Sequence, residues 1–195
     1  MRIATIVSSN SHVDYVGRIV DELDAAEPPP PDAYGFAQFV GIPLGDSEAV
    51  GIIYDSRLIN PEYANFGPRL SPKPTLENFS PDFLSEQGIL IGILMLGTLN
   101  ADGSSSHGVL RGVIPAGTDV TLLSTEKVEQ FHAGEDGINL HYYSQVVTHA
   151  GPLAVPLLES VIEGLMNGRD QNDRDRLELL RQNLRWQRTM AASRF

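Results

Sequence analysis

The stretch ILIGILMLGTL (residues 89–99) is the longest apolar run in the chain, and two glycines interrupt it. A membrane-spanning helix needs about 18 or more consecutive apolar residues, so this run is too short to be one. Its aliphatic residues, with turn-forming residues on either side, instead predict a β-strand. This strand is the longest of a series that fills most of the chain.

Six further segments of the same character lie in the first 135 residues. They are rich in Val, Ile, Phe and Tyr, they are bounded by Gly, Pro, Asn, Asp and Ser, and helical periodicity is poor throughout. These predicted strands cover residues 2–7, 13–21, 36–42, 49–58, 107–113 and 119–123. Short strands without intervening helices predict a mainly β fold, a small closed barrel of about six or seven strands.

The pattern changes after residue 135. Residues 139–148 are predicted to add one more strand, and two helices are predicted over 153–166 and 173–192. Asn167-Gly168 is a good helix stop, and the apolar spacing of the last helix is helical. The appendage makes the fold α+β overall.

A proline-rich insertion at about residues 60–87 separates two of the predicted strands, and it contains five prolines. A short helix is predicted over 80–86, because serine and then proline form a favourable helix start. A loop this long serves either a contact-making function or the covering of a barrel end, and both alternatives stay open.

The change of pattern after residue 135 predicts two parts of the chain, a barrel over 1–135 and an appendage over 136–195.

Charge and cysteine content limit the function classes. The net charge is −11, but residues 169–195 hold seven arginines against four acids, so the tail is +3 and the body −14. Without cysteine, disulfides and thiolate chemistry are excluded. The N-terminal apolar segment is shorter than the roughly 7–15 residues of a signal peptide. A cytoplasmic protein without membrane contact is expected.

Catalytic motifs are missing from the sequence. The chain has no P-loop, no dinucleotide-binding glycine motif and no nucleophile elbow. Its five histidines include no close metal-binding pair, and Ser104 to Ser106 beside His107 resemble a turn more than a nucleophile with its base. We therefore expect no catalytic residue, no metal, no cofactor and no enzymatic activity.

The last helix is the predicted partner-binding element. Its apolar stripe and neighbouring basic and aromatic residues are Leu177, Leu180, Leu184, Arg181, Arg185 and Trp186. The arginines could meet nucleic-acid phosphates, but acids are interleaved with them, and Glu178 precedes Arg181 by three residues. That spacing favours intrahelical ion pairs, and so a helix that docks on protein.

A turn ahead of the last predicted barrel strand carries a resemblance to a known family. The order of the first two strands, followed later by Pro115, Gly117, Thr118 and Val120, resembles the HAS-barrel. This small barrel is shared by HerA-type DNA translocases and ATP synthase catalytic subunits. In the translocases, a Pro-x-Gly-Thr/Ser-x-Val turn precedes the last barrel strand. The resemblance covers about residues 1–135.

The resemblance implies a role in assembly. In the translocases a P-loop ATPase domain follows the barrel, whereas here two predicted helices follow it, so ATP hydrolysis is not carried over. It implies an oligomeric or accessory protein that binds itself, a HerA-like translocase or a nuclease, in DNA repair or translocation. Two alternatives remain: a small-ligand-binding or enzymatic barrel with chemistry in residues 60–87 or around His107, and a nucleic-acid-binding protein acting through its C-terminal helix.

Overall fold

The computed structural model describes residues 1–22, 24–59, 88–134, 137–167 and 169–192, with side chains as far as Trp186. Within these ranges the strands are β1 (Arg2–Ser9), β2 (Asp14–Ile19), β3 (Phe39–Leu44), β4 (Ser47–Ile59), β5 (Gly88–Asn100), β6 (Ser105–His107), β7 (Asp119–Leu122), β8 (Ala133–Gly134) and β9 (Gly137–Ile138). The α-helices are α1 (Thr125–His132), α2 (Tyr143–His149), α3 (Ala154–Met166) and α4 (Gln171–Ala192). Short 3₁₀ turns occupy Pro31–Tyr34 and Gly151–Leu153.

Six antiparallel strands close into a barrel in the order β2-β1-β7-β3-β4-β5, and β5 pairs again with β2. The closing pair runs from Asp14 opposite Leu94 to Arg18 opposite Leu90. Strand β6 pairs with residues 97–99 of β5 and lies outside the ring. The predicted mainly β fold, a small closed barrel followed by C-terminal helices, is confirmed.

Strand β5 is apolar on both faces because it lies between two cores. Ile91, Ile93 and Met95 are buried in the barrel interior. Leu94 and Leu96 point to the opposite face, as alternate residues of a strand do, and they pack in the cluster that includes the helices. The long apolar run thus reflects a strand covered on both sides.

The barrel interior is filled by side chains from all six of its strands. Leu110 and Ile114, from the segment that joins β6 to β7, pack into the same core. The Ile114 backbone N–H donates to the Tyr15 hydroxyl at 3.2 Å. The strand predicted over 107–113 was therefore wrong beyond His107, because the chain leaves β5 there and packs into the barrel core.

A second core lies between the outer face of β4–β5 and the helices. It joins barrel residues such as Val50 and Leu94 to α3 residues such as Leu157 and Val161. The helix predicted over 153–166 is confirmed as α3, and the one predicted over 173–192 is confirmed as α4, which begins slightly earlier. Asp170 caps α4, since its Oδ1 accepts the Asp173 backbone N–H at 2.9 Å.

Two further differences from the sequence analysis concern helices. The strand predicted over 139–148 was wrong: Tyr143–His149 form helix α2, and Tyr142 and Val146 are buried while Ser144, which would share their face in a strand, is exposed. Helix α1 was not predicted. Its start is set by Ser124, whose Oγ accepts the Lys127 N–H at 3.4 Å. The insertion 60–87, with its predicted helix, lies outside the described residues.

Candidate functional site

A cleft of about 360 Å³ opens between the start of β3, helix α1 and helix α3. Residues 37–39 form one side, residues between Leu123 and Glu129 another, and the second half of α3 with Arg169 the third. This volume lies in the range of about 300–1,000 Å³ that small-molecule sites occupy. The cleft is outside the barrel, in the layer that joins barrel to helices.

The cleft wall is apolar inside and polar at its edge. Phe39, Val161 and Leu165 line it and are buried. Gln38 and the exposed Glu129 supply polar groups. A ligand would therefore meet an apolar surface bordered by a few hydrogen-bonding groups, which is the usual composition of small-molecule sites.

The backbone at one side of the cleft is in an unusual conformation. Ala37 has φ +67°, in the left-handed region that residues other than glycine rarely adopt. Its N–H donates to the Ile53 carbonyl at 2.8 Å, and the Ile53 N–H donates to the Gln38 carbonyl at 2.9 Å. Pairing with β4 thus holds the strained residue in place. Such strain is concentrated at functional sites in proteins.

Arg169 brings a positive charge to the cleft. Its side chain lines the cleft, and it is half-buried. Its Nη2 is fully buried and hydrogen-bonds to none of the described residues. The guanidinium keeps its positive charge at every pH at which proteins are folded, so it favours an anionic group in the cleft.

A buried histidine–tyrosine pair lies close to the cleft. The ring of His132 contacts that of Phe39, with centroids 5.2 Å apart. His132 Nδ1 donates to the Val128 carbonyl at 2.7 Å, because a carbonyl oxygen can only accept. Nε2 is then the unprotonated nitrogen, and it accepts the Tyr142 O–H at 2.7 Å. Both side chains are fully buried.

Burial keeps both members of this pair neutral. It lowers the pKa of His132 to about 4, with smaller contributions from His107 and Arg169 that act in the same direction. It raises the pKa of Tyr142 well above its usual value. Two neutral groups without solvent access hold the helix layer together, and they do not meet a substrate directly.

His107 packs in the same aromatic cluster. Its ring stacks on Phe131 with centroids 4.2 Å apart, and Nε2 donates to the Phe131 carbonyl at 2.8 Å. Desolvation is the main reason that its pKa is lowered. Ser104 bonds instead to Asp102, its hydroxyl donating at 2.6 Å. A serine nucleophile activated by His107 is not assembled here.

The part of the chain that the structure describes does not form a metal site. Within those residues, no group of three or more His, Asp or Glu side chains is arranged to hold a metal ion. His141 precedes α2 and His149 is its last residue, so the two do not share a strand. The ring of His141 lies 6.2 Å from that of His107, centroid to centroid.

Comparison with protein families identifies a match that covers nearly the whole chain. The model of a family described as a domain of unknown function, DUF8166, matches residues 1–194. The chain belongs to this family. No curated protein is significantly similar to the chain. Among the helices in the described ranges, none is long and apolar enough to cross a membrane.

In this DUF8166 protein, the apolar stripe predicted for partner binding is used within the chain. Leu177 and Leu184 are buried in the outer core, and Leu180 packs against it half-buried. The outward side of α4 carries Leu179 and Trp186, which are 62% and 64% exposed. Leu179 was not singled out from the sequence, although its spacing of seven from Trp186 was available there.

The predicted basic residues of α4 form ion pairs. Arg181 pairs with Glu178 at 2.7 Å, the spacing of three that the sequence indicated. Arg185 reaches Glu159 of α3, with 3.5 Å between Nε and Oε1. These two arginines thus contact acids of their own chain.

The turn singled out in the sequence leads into β7. Thr118 Oγ1 donates to the Pro115 carbonyl at 2.7 Å, and Gly117 has φ +86°. The Gly117 N–H donates to the Ile6 carbonyl at 2.8 Å, which ties the turn to β1.

The cleft could not be recognised from the sequence, because its sides come from three segments that lie far apart along the chain.

Proposed function

We propose that this protein is a non-catalytic assembly module that docks on a partner protein through the outward face of α4. The observation that carries the proposal is the exposure of Leu179 and Trp186 on that face. The closed barrel with its filled interior supports a scaffold role over a barrel that holds a ligand inside.

Leu179 and Trp186 form one short apolar strip. Seven residues make almost two helical turns, so the two side chains share a face and lie about 10 Å apart along the axis. Leu177 and Leu184, which are also seven apart, face the chain's own core. Helix α4 therefore has two apolar faces: its own chain covers one, and the other is exposed in the part of the chain that the structure describes.

The composition of the strip supports docking on protein. Trp is among the residues most enriched at interface hot spots. Where it is a hot spot, its truncation to alanine costs at least about 2 kcal/mol of binding free energy. Beside the strip, Arg181 and Arg185 pair with acids of the same chain. These pairs favour a protein partner over a phosphate backbone.

Charge indicates the partner's surface. The tail from residue 169 carries +3 and the remainder −14, so the tail is attracted to an acidic surface. The acidic body of a second copy provides one, and we take self-association as the first form of the proposal. The HAS-barrel resemblance of residues 1–135 extends it to a HerA-like translocase or associated nuclease, in DNA repair or translocation.

The single tryptophan makes the proposal testable. If α4 docks on a second copy, Trp186 becomes buried, and its fluorescence maximum shifts to shorter wavelength as the protein concentration rises. Light scattering over the same concentrations should show dimers or larger species. Trp186→Ala should weaken association by about 30-fold or more, following the cost of losing an interface hot spot, and Leu179→Ala should weaken it in the same direction.

Leu58→Ala is the matched control, because Leu58 is an 81% exposed leucine on β4 and not on α4. It should leave association unchanged. A monomer at all concentrations would refute self-association. Docking on a HerA-like translocase would then have to be tested with the purified partner, and Trp186→Ala should weaken that binding. Equal loss with Leu58→Ala and Leu179→Ala would show that the contact is not centred on α4.

A further inference from the structure

We infer that the cleft between β3, α1 and α3 binds a small organic acid, an apolar body carrying one carboxylate, with Arg169 as its counter-ion. This inference goes beyond docking through α4 and does not depend on it. It stands on the charge of Arg169, the apolar wall and the open space beside Gly164.

Arg169 selects for an anion. Among the described residues that line the cleft, it is the only basic one. A carboxylate supplies two acceptor oxygens in the plane that a guanidinium fork recognises, and hydrogen bonds between two charged groups are stronger than neutral ones. An acid bound there would place its negative charge beside the guanidinium.

The charge balance favours one negative charge over two. Glu129 also lines the cleft, so a dianion such as a phosphate monoester would meet one base and one acid. Arg169 and Glu129 together sum to zero, so a bound monocarboxylate brings the charge of the site to −1, whereas a dianion brings it to −2. Like charges in a partly enclosed site repel more strongly than in bulk water.

The remaining wall requires an apolar body. Phe39, Val161 and Leu165 are buried and line the cleft. Gly164 lies on the same wall, and a Cβ added to it would meet no atom of the described residues within 4 Å. The absence of a side chain at Gly164 therefore leaves room for a ligand, and burial of its aliphatic carbons there is favourable.

Octanoate is the probe, with octanamide and octylphosphonate as matched ligands that change only the head group. Isothermal calorimetry measures the affinities, and amide chemical shifts of the labelled full chain locate the site. We expect octanoate to shift residues around the cleft, and octanamide to bind at least about tenfold more weakly because it lacks the charge. Octylphosphonate should bind more weakly than octanoate.

Two variants test the two halves of the site. Arg169→Gln should weaken octanoate about 10- to 100-fold, the effect of losing a hydrogen bond between charged groups, whereas the exposed Arg174→Gln should not. Gly164→Leu should abolish binding by filling the cleft, and Gly164→Ala should only weaken it. Thermal unfolding confirms that each variant is folded.

Several results would overturn the inference. Failure of the wild-type protein to bind octanoate would do so, as would equal affinity for octanamide. Binding that survives both Arg169→Gln and Gly164→Leu would place the ligand elsewhere. Tighter binding of octylphosphonate would refute the assignment of a carboxylate. The Trp186 and Leu179 variants should leave octanoate binding unchanged, so the two proposals fail separately.

Discussion

The Tyr142 hydroxyl donates a 2.7 Å hydrogen bond to Nε2 of His132, and both side chains are fully buried. His132 ends helix α1, and Tyr142 immediately precedes α2. The bond therefore joins the two helices at the centre of the aromatic cluster near the cleft. Loss of this hydrogen bond should lower the free energy of unfolding, because neither group can bond to water in its place.

Tyr142→Phe should lower the free energy of unfolding by about 1–3 kcal/mol. The substitution keeps the ring but leaves Nε2 of His132 buried without a donor. Urea denaturation of the two proteins measures the difference. Tyr143→Phe is the control, since its side chain is only half-buried, and it should change stability by less than about 0.5 kcal/mol. Equal effects of the two variants would contradict a structural role for the pair.

Stability should fall in mild acid because of His132. Its pKa is lowered to about 4 in the folded protein, against about 6.5 for an unperturbed histidine. Between these values the unfolded chain binds more protons, so stability is complete above about pH 6.5 and declines toward pH 4. The total loss from this group is about 3 kcal/mol.

Urea denaturation at a series of pH values tests this slope. His107, whose pKa is also lowered, contributes in the same direction, so the informative quantity is the difference between variants. His132→Gln should remove most of the slope, whereas the exposed His149→Gln should retain it. A slope unchanged in His132→Gln would assign the acid sensitivity to other groups.

Strand identity was predictable where local pattern and tertiary context agree. The run over 89–99 is mainly apolar, which predicts a buried strand. The structure covers β5 on both faces, so the tertiary context agrees with the local pattern. The tail stripe of Leu177 and Leu184 was likewise predictable, since helical spacing places both on one face. What covers that face could not be predicted, because spacing does not distinguish the chain's own core from a partner.

The wrong strand over 139–148 has a physical cause. Val146 and Val147 favour strands by propensity, which made a strand the natural expectation. Tyr142 and Val146 are buried whereas Ser144 between them is exposed, a pattern that fits a helix and not a strand and outweighs propensity. The cleft was beyond prediction for another reason: Phe39, Val128 and Val161 meet only through long-range packing.

Two glycines should respond to alanine with opposite signs. At Gly97 a Cβ would lie 2.0 Å from the Ser106 carbonyl oxygen, so Gly97→Ala forces β6 away from β5. We expect a loss of about 2–3 kcal/mol. At Gly164 the Cβ meets open space on a helix, so Gly164→Ala should add about 0.5–1 kcal/mol. Thermal unfolding measures both, and destabilisation by Gly164→Ala would show that the wall of α3 is closed.

The strain at Ala37 should be relieved by glycine. An alanine in the left-handed region costs about 1–2 kcal/mol, and glycine removes this cost while adding about 0.4–1 kcal/mol of unfolded-chain entropy. Ala37→Gly should therefore raise the free energy of unfolding by about 0.5 kcal/mol. Ala133→Gly is the control, because Ala133 has an ordinary φ of −70° and should lose stability on the same substitution. Chemical denaturation of both variants decides the matter. If both variants lose stability, the backbone at the cleft stores no strain, and the geometry of Ala37 is simply the conformation that β4 imposes.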